Sequence, residues 1–225
     1  MVGKYDIEFI EADAPITDPV TKFGGQPVWL ERPEWPLSKE LGRQMQFVCQ
    51  IALDPDIFGV SPGRMAYLFI TGESEDEWVD GTYDPDSGEN AVIVQPGGTN
   101  DAVTVAEREG PSLYTFVDGS GWEGTVPCEY SVNLQPGEDP EYEDERVEWS
   151  EAEFDAYERS LDGNKVAGTP GFIQADEFPE AGPWRLLLQH DSMTVPFHVN
   201  FGDAGIGYAY ISEDGRSGTF LWQCY

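Results

Sequence analysis

Apolar and polar residues alternate along much of the chain. Tyr5-Asp6-Ile7-Glu8-Phe9 has the two-residue period of a strand with one buried face. Gln44 to Leu53 predicts a second strand, with Met45, Phe47, Cys49 and Ile51 on one side. Met65 to Ile70 is apolar at every position, as expected of a strand buried on both faces. Ala91 to Gln95, Ala102 to Val105 and Tyr114 to Val117 are further short strands. Cys128, Tyr130, Val132 and Leu134 alternate with Glu129, Ser131 and Asn133 in a two-faced strand. Residues 11–21, with Pro15 and Pro19, read as loop, Glu34-Trp35-Pro36 as irregular chain, and Pro136 to Asp144 as an acidic loop.

One segment has helical spacing. Ser150 and Glu153 form a capping box, each placed to satisfy a free amide of the other. Glu151, Glu153 and Asp155 complement the positive end of the helix dipole. Phe154, Tyr157 and Leu161 share a face, and Asp162-Gly163-Asn164 ends the helix. This element is scaffold.

The last third repeats the opening theme. Lys165-Val166-Ala167-Gly168-Thr169-Pro170-Gly171-Phe172 follows the pattern of Lys22-Phe23-Gly24-Gly25-Gln26-Pro27-Val28-Trp29. Trp184 to Gln189 resembles Gln46 to Gln50, and Ile206 to Ile211 resembles Met65 to Ile70. The order is the same in both: glycine–proline turn, strand ending in Gln, glycine-led loop, aromatic strand. The expected architecture is therefore α+β and β-rich, a single domain over 1–225. It has two similar antiparallel-sheet halves, pseudo-repeats near 22–71 and 165–211, and one helix near 151–161. Chance recurrence of a common turn beside a common strand is the competing account.

Composition narrows the function. The 225 residues carry 43 Asp+Glu against 12 Lys+Arg, a formal charge of −31. A nucleic-acid binder needs a basic footprint, and an anionic membrane surface repels such a chain, so neither is an expected partner. The acidity is not that of a disordered tail, because 13% of the residues are aromatic. It reads as a surface adapted for solubility, including in a saline cytoplasm, or as a face for a basic partner protein. Cys49, Cys128 and Cys224 are scattered and odd in number, and Cys49 and Cys224 lie in apolar runs. With no apolar signal-type stretch among Met1 to Asp6, a reduced cytoplasmic location is expected.

Four blocks together resemble a known bacterial family. They are Lys22 to Pro27 with Glu34-Trp35-Pro36; Met45 to Leu53; Lys165 to Pro170; and Leu186-Leu187-Leu188-Gln189-His190-Asp191 with Phe201-Gly202-Asp203-Ala204-Gly205. In these blocks the sequence resembles the YwqG-like proteins, a family of unknown function. Phe201 stands where that family usually has Trp. The resemblance covers both ends of the chain and leaves residues 72–160 largely unmatched. It implies a single β-rich α+β fold and no reaction.

Motifs for chemistry are sparse. Asp84-Pro85-Asp86-Ser87-Gly88 lacks the ligands of a calcium loop and reads as a turn. Asp118-Gly119-Ser120-Gly121-Trp122 is a glycine-rich turn rather than a nucleophile elbow. Neither Gly97-Gly98 nor Gly202 to Gly207 makes a phosphate loop. With 43 acids, a close carboxylate pair carries no signal. His190 and His198 are the only histidines; they could meet across a hairpin, but structural or surface roles are the expected ones. No catalytic residue, metal ligand set or cofactor is assigned.

The candidate ligand-binding residues are polar or aromatic groups embedded in apolar blocks: Gln50, Gln189, Asp191, Asp203, Trp35 and Trp184. Gln50 and Gln189 end equivalent strands, and a buried amide must find partners for its donors and acceptor. Their functional reading is a ligand-orienting pair in a cleft between the halves, lined by Trp29, Trp35 and Trp184. Their structural reading is that the amides tie loop backbone and Asp203 caps a turn. The leading functional expectation is a non-catalytic binding or interaction module, one form of it neutralising a basic partner protein. The alternative is a small-molecule binder or hydrolytic enzyme using the inter-half cleft.

Overall fold

The alternating segments become strands of one large sheet. The structure is a computed structural model and describes all residues except 75–77, 118–120, 145, 147 and 181, and the side chains of 121 and 123. The strands are β1 (Val2–Glu11), β2 (Lys22–Gly24), β3 (Trp35–Pro36), β4 (Gln46–Ala52), β5 (Met65–Ile70), β6 (Asn90–Gln95) and β7 (Thr104–Val105). They continue as β8 (Tyr114–Phe116), β9 (Thr125–Pro127), β10 (Glu129–Asp139), β11 (Lys165–Ala167), β12 (Trp184–Asp191), β13 (Ile206–Ser212) and β14 (Gly218–Gln223). The helices are the single turn α1 (Pro55–Phe58) and α2 (Glu151–Leu161), the second carrying both bonds of the expected capping box.

Ten strands pair in the order β14-β13-β12-β11-β1-β10-β2-β4-β5-β6, every pairing antiparallel. The two expected sheet halves are thus the two arms of one continuous sheet, joined by the long pair β1 and β10. The sheet curls until its edges meet. Beside β6, Gly98 N–H donates to the Arg216 carbonyl at 2.6 Å, and the Arg216 guanidinium donates to the Gly97 carbonyl at 3.1 Å. The result is a nearly closed, barrel-like sheet.

Three apolar clusters follow from that curl. The largest fills the inside and takes side chains from all ten strands, among them Phe23, Val48, Leu68, Val92, Leu187, Ala209 and Phe220, with Ile7 and Phe9 of β1 packed against it. The other two cover the outer faces of the arms: Trp35, Phe47, Tyr67 and Phe69 on one, Phe172, Leu186, Tyr208 and Tyr210 on the other.

A bulge in each arm revises the expected alternation. Register shifts between Phe47 and Cys49 in β4, and between Leu186 and Leu188 in β12. An extra residue flips every later side chain to the other face. Phe47 therefore lies in an outer cluster while Cys49 and Ile51 lie inside, and Leu186 lies outside while Leu188 and His190 point inward. The single shared faces read from the sequence do not hold across these bulges. Two boundaries also move. β10 runs through Pro136 to Asp139, because β1 supplies partners along that whole length. Trp35-Pro36, expected as irregular chain, pairs with Thr104–Val105, all that remains of the strand expected over 102–105; the Trp35 indole is fully buried and donates to the Met45 carbonyl at 2.7 Å.

The loops that cover the outer faces bury their own backbone groups, and side chains from the sheet satisfy them. Gln50 accepts from Val28 N–H at 2.8 Å and donates to the Val20 carbonyl at 2.7 Å. Gln189 accepts from Gly171 N–H at 2.8 Å and donates to the carbonyls of Leu161 (2.8 Å) and Gly163 (3.0 Å). The neighbouring strand adds Tyr67, which donates to the Val28 carbonyl at 2.8 Å, and Tyr208, which donates to the Gly171 carbonyl at 2.6 Å. At the arm edges Gln95 binds Glu31 N–H and the Arg32 carbonyl, and Gln223 binds Gln174 N–H and the Ala175 carbonyl. Fully buried lysines stand beside each Gln: Lys22 pairs with Glu129 at 2.5 Å and Lys165 with Asp139 at 2.7 Å. Burial pulls the Lys165 pKa down, and Asp139 opposes that shift.

Two predictions follow. Gln50→Leu leaves Val28 N–H without its partner, while the Val20 carbonyl, in a residue 44% exposed, can turn to water; an unsatisfied buried group costs about 1–3 kcal/mol, so the variant should lose about that much in denaturant unfolding. Gln189→Leu should lose a similar amount, and a loss under about 0.5 kcal/mol in either would contradict the assigned role. The second concerns His190, whose ring stacks near both Phe23 (5.3 Å) and Phe197 (5.5 Å), with neither ring nitrogen hydrogen-bonded among the described residues. Burial lowers its pKa to about 3 from 6.5. The unfolded chain takes up this proton below pH 6.5 and the folded chain does not, so stability drains away as pH falls from 6.5 towards 3. His190→Phe should remove a slope of about 1.4 kcal/mol per pH unit between pH 6 and 5; identical slopes for the two proteins would refute it.

Candidate functional site

The six residues expected at a site do not gather in one place. Gln50 and Trp35 serve the first arm, Gln189 and Trp184 the second, each pair against its own outer-face loops. Gln50 and Gln189 are fully buried, and both ends of each amide are engaged by backbone. Asp191 accepts from Met193 N–H at 2.9 Å and Thr194 Oγ1 at 3.2 Å, closing the turn after β12. Asp203 is exposed, and its carbonyl accepts from Tyr225 N–H at 3.0 Å. Trp29 packs with Trp35 in the first arm's outer cluster, away from Trp184.

A cavity of about 540 Å³ lies elsewhere, and none of those six residues lines it. It opens where the chain leaving β5 meets the end of β14 and the loop after β12. The first arm contributes Gln46, Thr71 and Glu73; the second contributes His198, Asn200, Trp222 and Cys224. The segment Trp78 to Tyr83 and the ring of Tyr114 complete the wall.

The loop carrying His198 is fixed before its ring does anything. His198 N–H donates to the Tyr114 carbonyl at 2.8 Å, and Phe197 and Val199 on either side are buried in the inner cluster. Alternation along this extended stretch leaves the His198 ring on the other side, against Tyr114 (5.3 Å), Phe116 (4.9 Å) and Trp122 (5.7 Å). Asn200 accepts from Gly202 N–H at 2.9 Å, which folds the next turn, and Gly202 supplies the positive φ of 75° that the turn requires.

Glu73 joins the two loop residues. His198 Nε2 lies 3.0 Å from one carboxylate oxygen, and Asn200 Nδ2 donates to the other at 2.6 Å. The His198 hydrogen bond holds the Glu73 carboxyl below its ordinary pKa; burial pulls the other way, and the Asn200 bond adds to the lowering. Glu73 is thus a half-buried carboxylate held ionised. His198 Nδ1 makes no hydrogen bond among the described residues. Two more polar groups are spare. The Tyr114 hydroxyl is buried without a partner among the described residues, its pKa pushed up by burial and then by the Glu73 charge. The Gln46 amide, in a residue only 8% exposed, makes no hydrogen bond among the described residues.

The rim is aromatic. Trp78 is 72% exposed, and Tyr83 meets Trp222 edge to face at 5.7 Å while the Trp222 indole donates to Thr82 Oγ1 at 3.2 Å. Large exposed aromatics beside a cavity with convergent polar groups are the ordinary architecture of a small-molecule site. Among the described residues no group of His, Cys, Asp and Glu could hold a metal ion, and no helix is long and apolar enough to cross a membrane. The turn expected at Asp118 to Trp122 lies largely outside the described residues.

Sequence patterns single out neither Glu73 nor Asn200 and give His198 a structural or surface role. The available signal was position: His198 and Asn200 immediately precede the Phe201 to Gly205 block already singled out. Glu73 was invisible among 43 acids.

The geometry predicts a measurable titration. Asn200→Ala removes one of the bonds that hold the Glu73 proton off, so the Glu73 carboxyl pKa should rise towards 4.5, read by carbon NMR of the side-chain carboxyl. An unchanged Glu73 titration would show that the Asn200 bond does not form.

Compared with known families, residues 21–217 match the family described as "Domain of unknown function (DUF1963)". Among curated proteins, none matches the chain.

Proposed function

The chain belongs to the DUF1963 family of unknown function, and we propose that it binds a small organic molecule in the cavity between the two arms of its sheet. One observation carries this reading. A cavity of about 540 Å³, lined from both arms, brings an oriented Glu73–His198 pair together with spare polar groups and exposed aromatic faces. That volume suits a drug-sized or metabolite-sized ligand. Within this reading the chain is a binding module. The idea of a module that neutralises a basic protein rests on net charge alone, whereas the cavity is a specific feature, so the small molecule is the preferred partner.

The proposal extends to the chain's origin as an internal duplication and to a place among the YwqG-like proteins. Support for duplication comes from the repeated bonds of Lys22, Gln50, Tyr67 and Gln95 in one arm and Lys165, Gln189, Tyr208 and Gln223 in the other. Support for the family label comes from the four sequence blocks, which include those residues except Tyr67, Gln95, Tyr208 and Gln223. On this reading the cavity forms where two copies of one unit come together, which is a common place for ligands.

The test is a fragment panel of aromatic alcohols, aromatic amines, monosaccharides and nucleosides, read by thermal shift and tryptophan emission on the full chain. A ligand at 100 times its Kd stabilises the folded state by about 2.7 kcal/mol, well within detection. At least one compound should bind saturably and lose at least tenfold in affinity with both Trp78→Ala and His198→Ala. Binding of no compound, or binding that both variants leave intact, would overturn the proposal.

A further inference from the structure

We propose that the ligand of this cavity is an organic cation, a protonated amine or guanidinium carried on an apolar body. The inference rests on the small-molecule reading above and adds the charge. Three features carry it. The first is the sign of the charged groups. Glu73 lines the cavity as a half-buried carboxylate, Asp80 and Glu177 stand exposed at its edge, and no Lys or Arg side chain lines it among the described residues. An anion placed there would meet these carboxylates with no Lys or Arg to offset them, and the net charge of −31 adds to the repulsion.

The second feature is the spare capacity of the carboxylate. Glu73 is acceptor only, and each of its oxygens meets one described partner, His198 Nε2 or Asn200 Nδ2. A carboxylate oxygen can accept a further bond, and an ammonium or guanidinium group brings donors and no acceptor.

The third feature is the π surface. Trp78, Tyr83, Trp222 and Tyr114 line the same cavity as the carboxylate. Aromatic faces attract a cation through their quadrupole, most strongly for Trp, and they pack an apolar body as well. Carboxylate and aromatic face act in the same sense only for a positive guest. One cation chemistry has two sources: a free amine, or the side chain of a lysine on another polypeptide.

Calorimetry on the full chain with three matched probes tests the charge: benzylamine, benzyl alcohol and benzoate at pH 7. Nα-acetyl-lysine methylamide tests the source. Benzylamine should bind at least tenfold more tightly than benzyl alcohol, with no detectable benzoate binding. Glu73→Gln should cut that preference to about twofold, while Asp18→Asn, an exposed acid outside the cavity, should leave it unchanged. Circular dichroism checks that each variant is folded. Lysine-amide binding comparable to benzylamine supports a polypeptide-borne cation, and benzylamine binding alone supports a free amine. Benzyl alcohol binding as tightly as benzylamine, still lost with Trp78→Ala, would overturn the cation assignment and leave the cavity reading standing. An amine preference that survives Glu73→Gln would overturn it too. Binding of none of the four probes, alongside a failed fragment panel, would remove both.

Discussion

Everything in this fold depends on how a β-rich chain buries its loops. The outer faces of the sheet are apolar, and extended loops rather than helices cover most of them. A covering loop takes its own amides and carbonyls out of water, where each unpaired group costs about 1–3 kcal/mol. Here the sheet supplies the missing partners. Gln50, Tyr67 and Gln95 in one arm, and Gln189, Tyr208 and Gln223 in the other, reach from strands into loop backbone. Buried Gln suits this task because one side chain both accepts and donates.

The cavity follows from the same arrangement. The bulges in β4 and β12 switch which side chains face outward, so that Gln50 and Gln189 reach the loops while Cys49, Leu188 and His190 turn inward. The curl then brings β6 beside β14, and the loop carrying His198 plugs one side of the barrel with Phe197 and Val199. His198, between those plugs, and Asn200, just after them, are left beside Glu73. The cavity is thus a by-product of closing the barrel, assembled from the chain after β5, Tyr114, the loop carrying His198 and the end of β14, which share no local motif.

Much of the secondary structure was legible in local pattern. The alternation of Tyr5 to Phe9, the doubly apolar Met65 to Ile70 and the Ser150–Glu153 box each encode a physical constraint within a few residues. The bulges were not legible, since an extra residue changes no local preference and only the paired strand reveals it. Trp35-Pro36 was missed as a strand because its partner, Thr104–Val105, is distant in sequence. The cavity was the least legible feature. The embedded Gln residues were conspicuous, yet the backbone consumes them; Glu73, by contrast, looked like any other acid until His198 and Asn200 arrived beside it.

By itself the sequence determined the β-rich class, the capped helix, the acidic surface and the importance of the two Gln-bearing strands. These depend on residue type and on short-range periodicity, which the chain carries wherever it folds. The tertiary structure alone decided that the two arms form one curled sheet, that His190 is locked among phenylalanines, and that His198 meets Glu73 across 125 positions. Those outcomes depend on which strand edges pair and how far the sheet curls, and such long-range choices leave no mark in any local window.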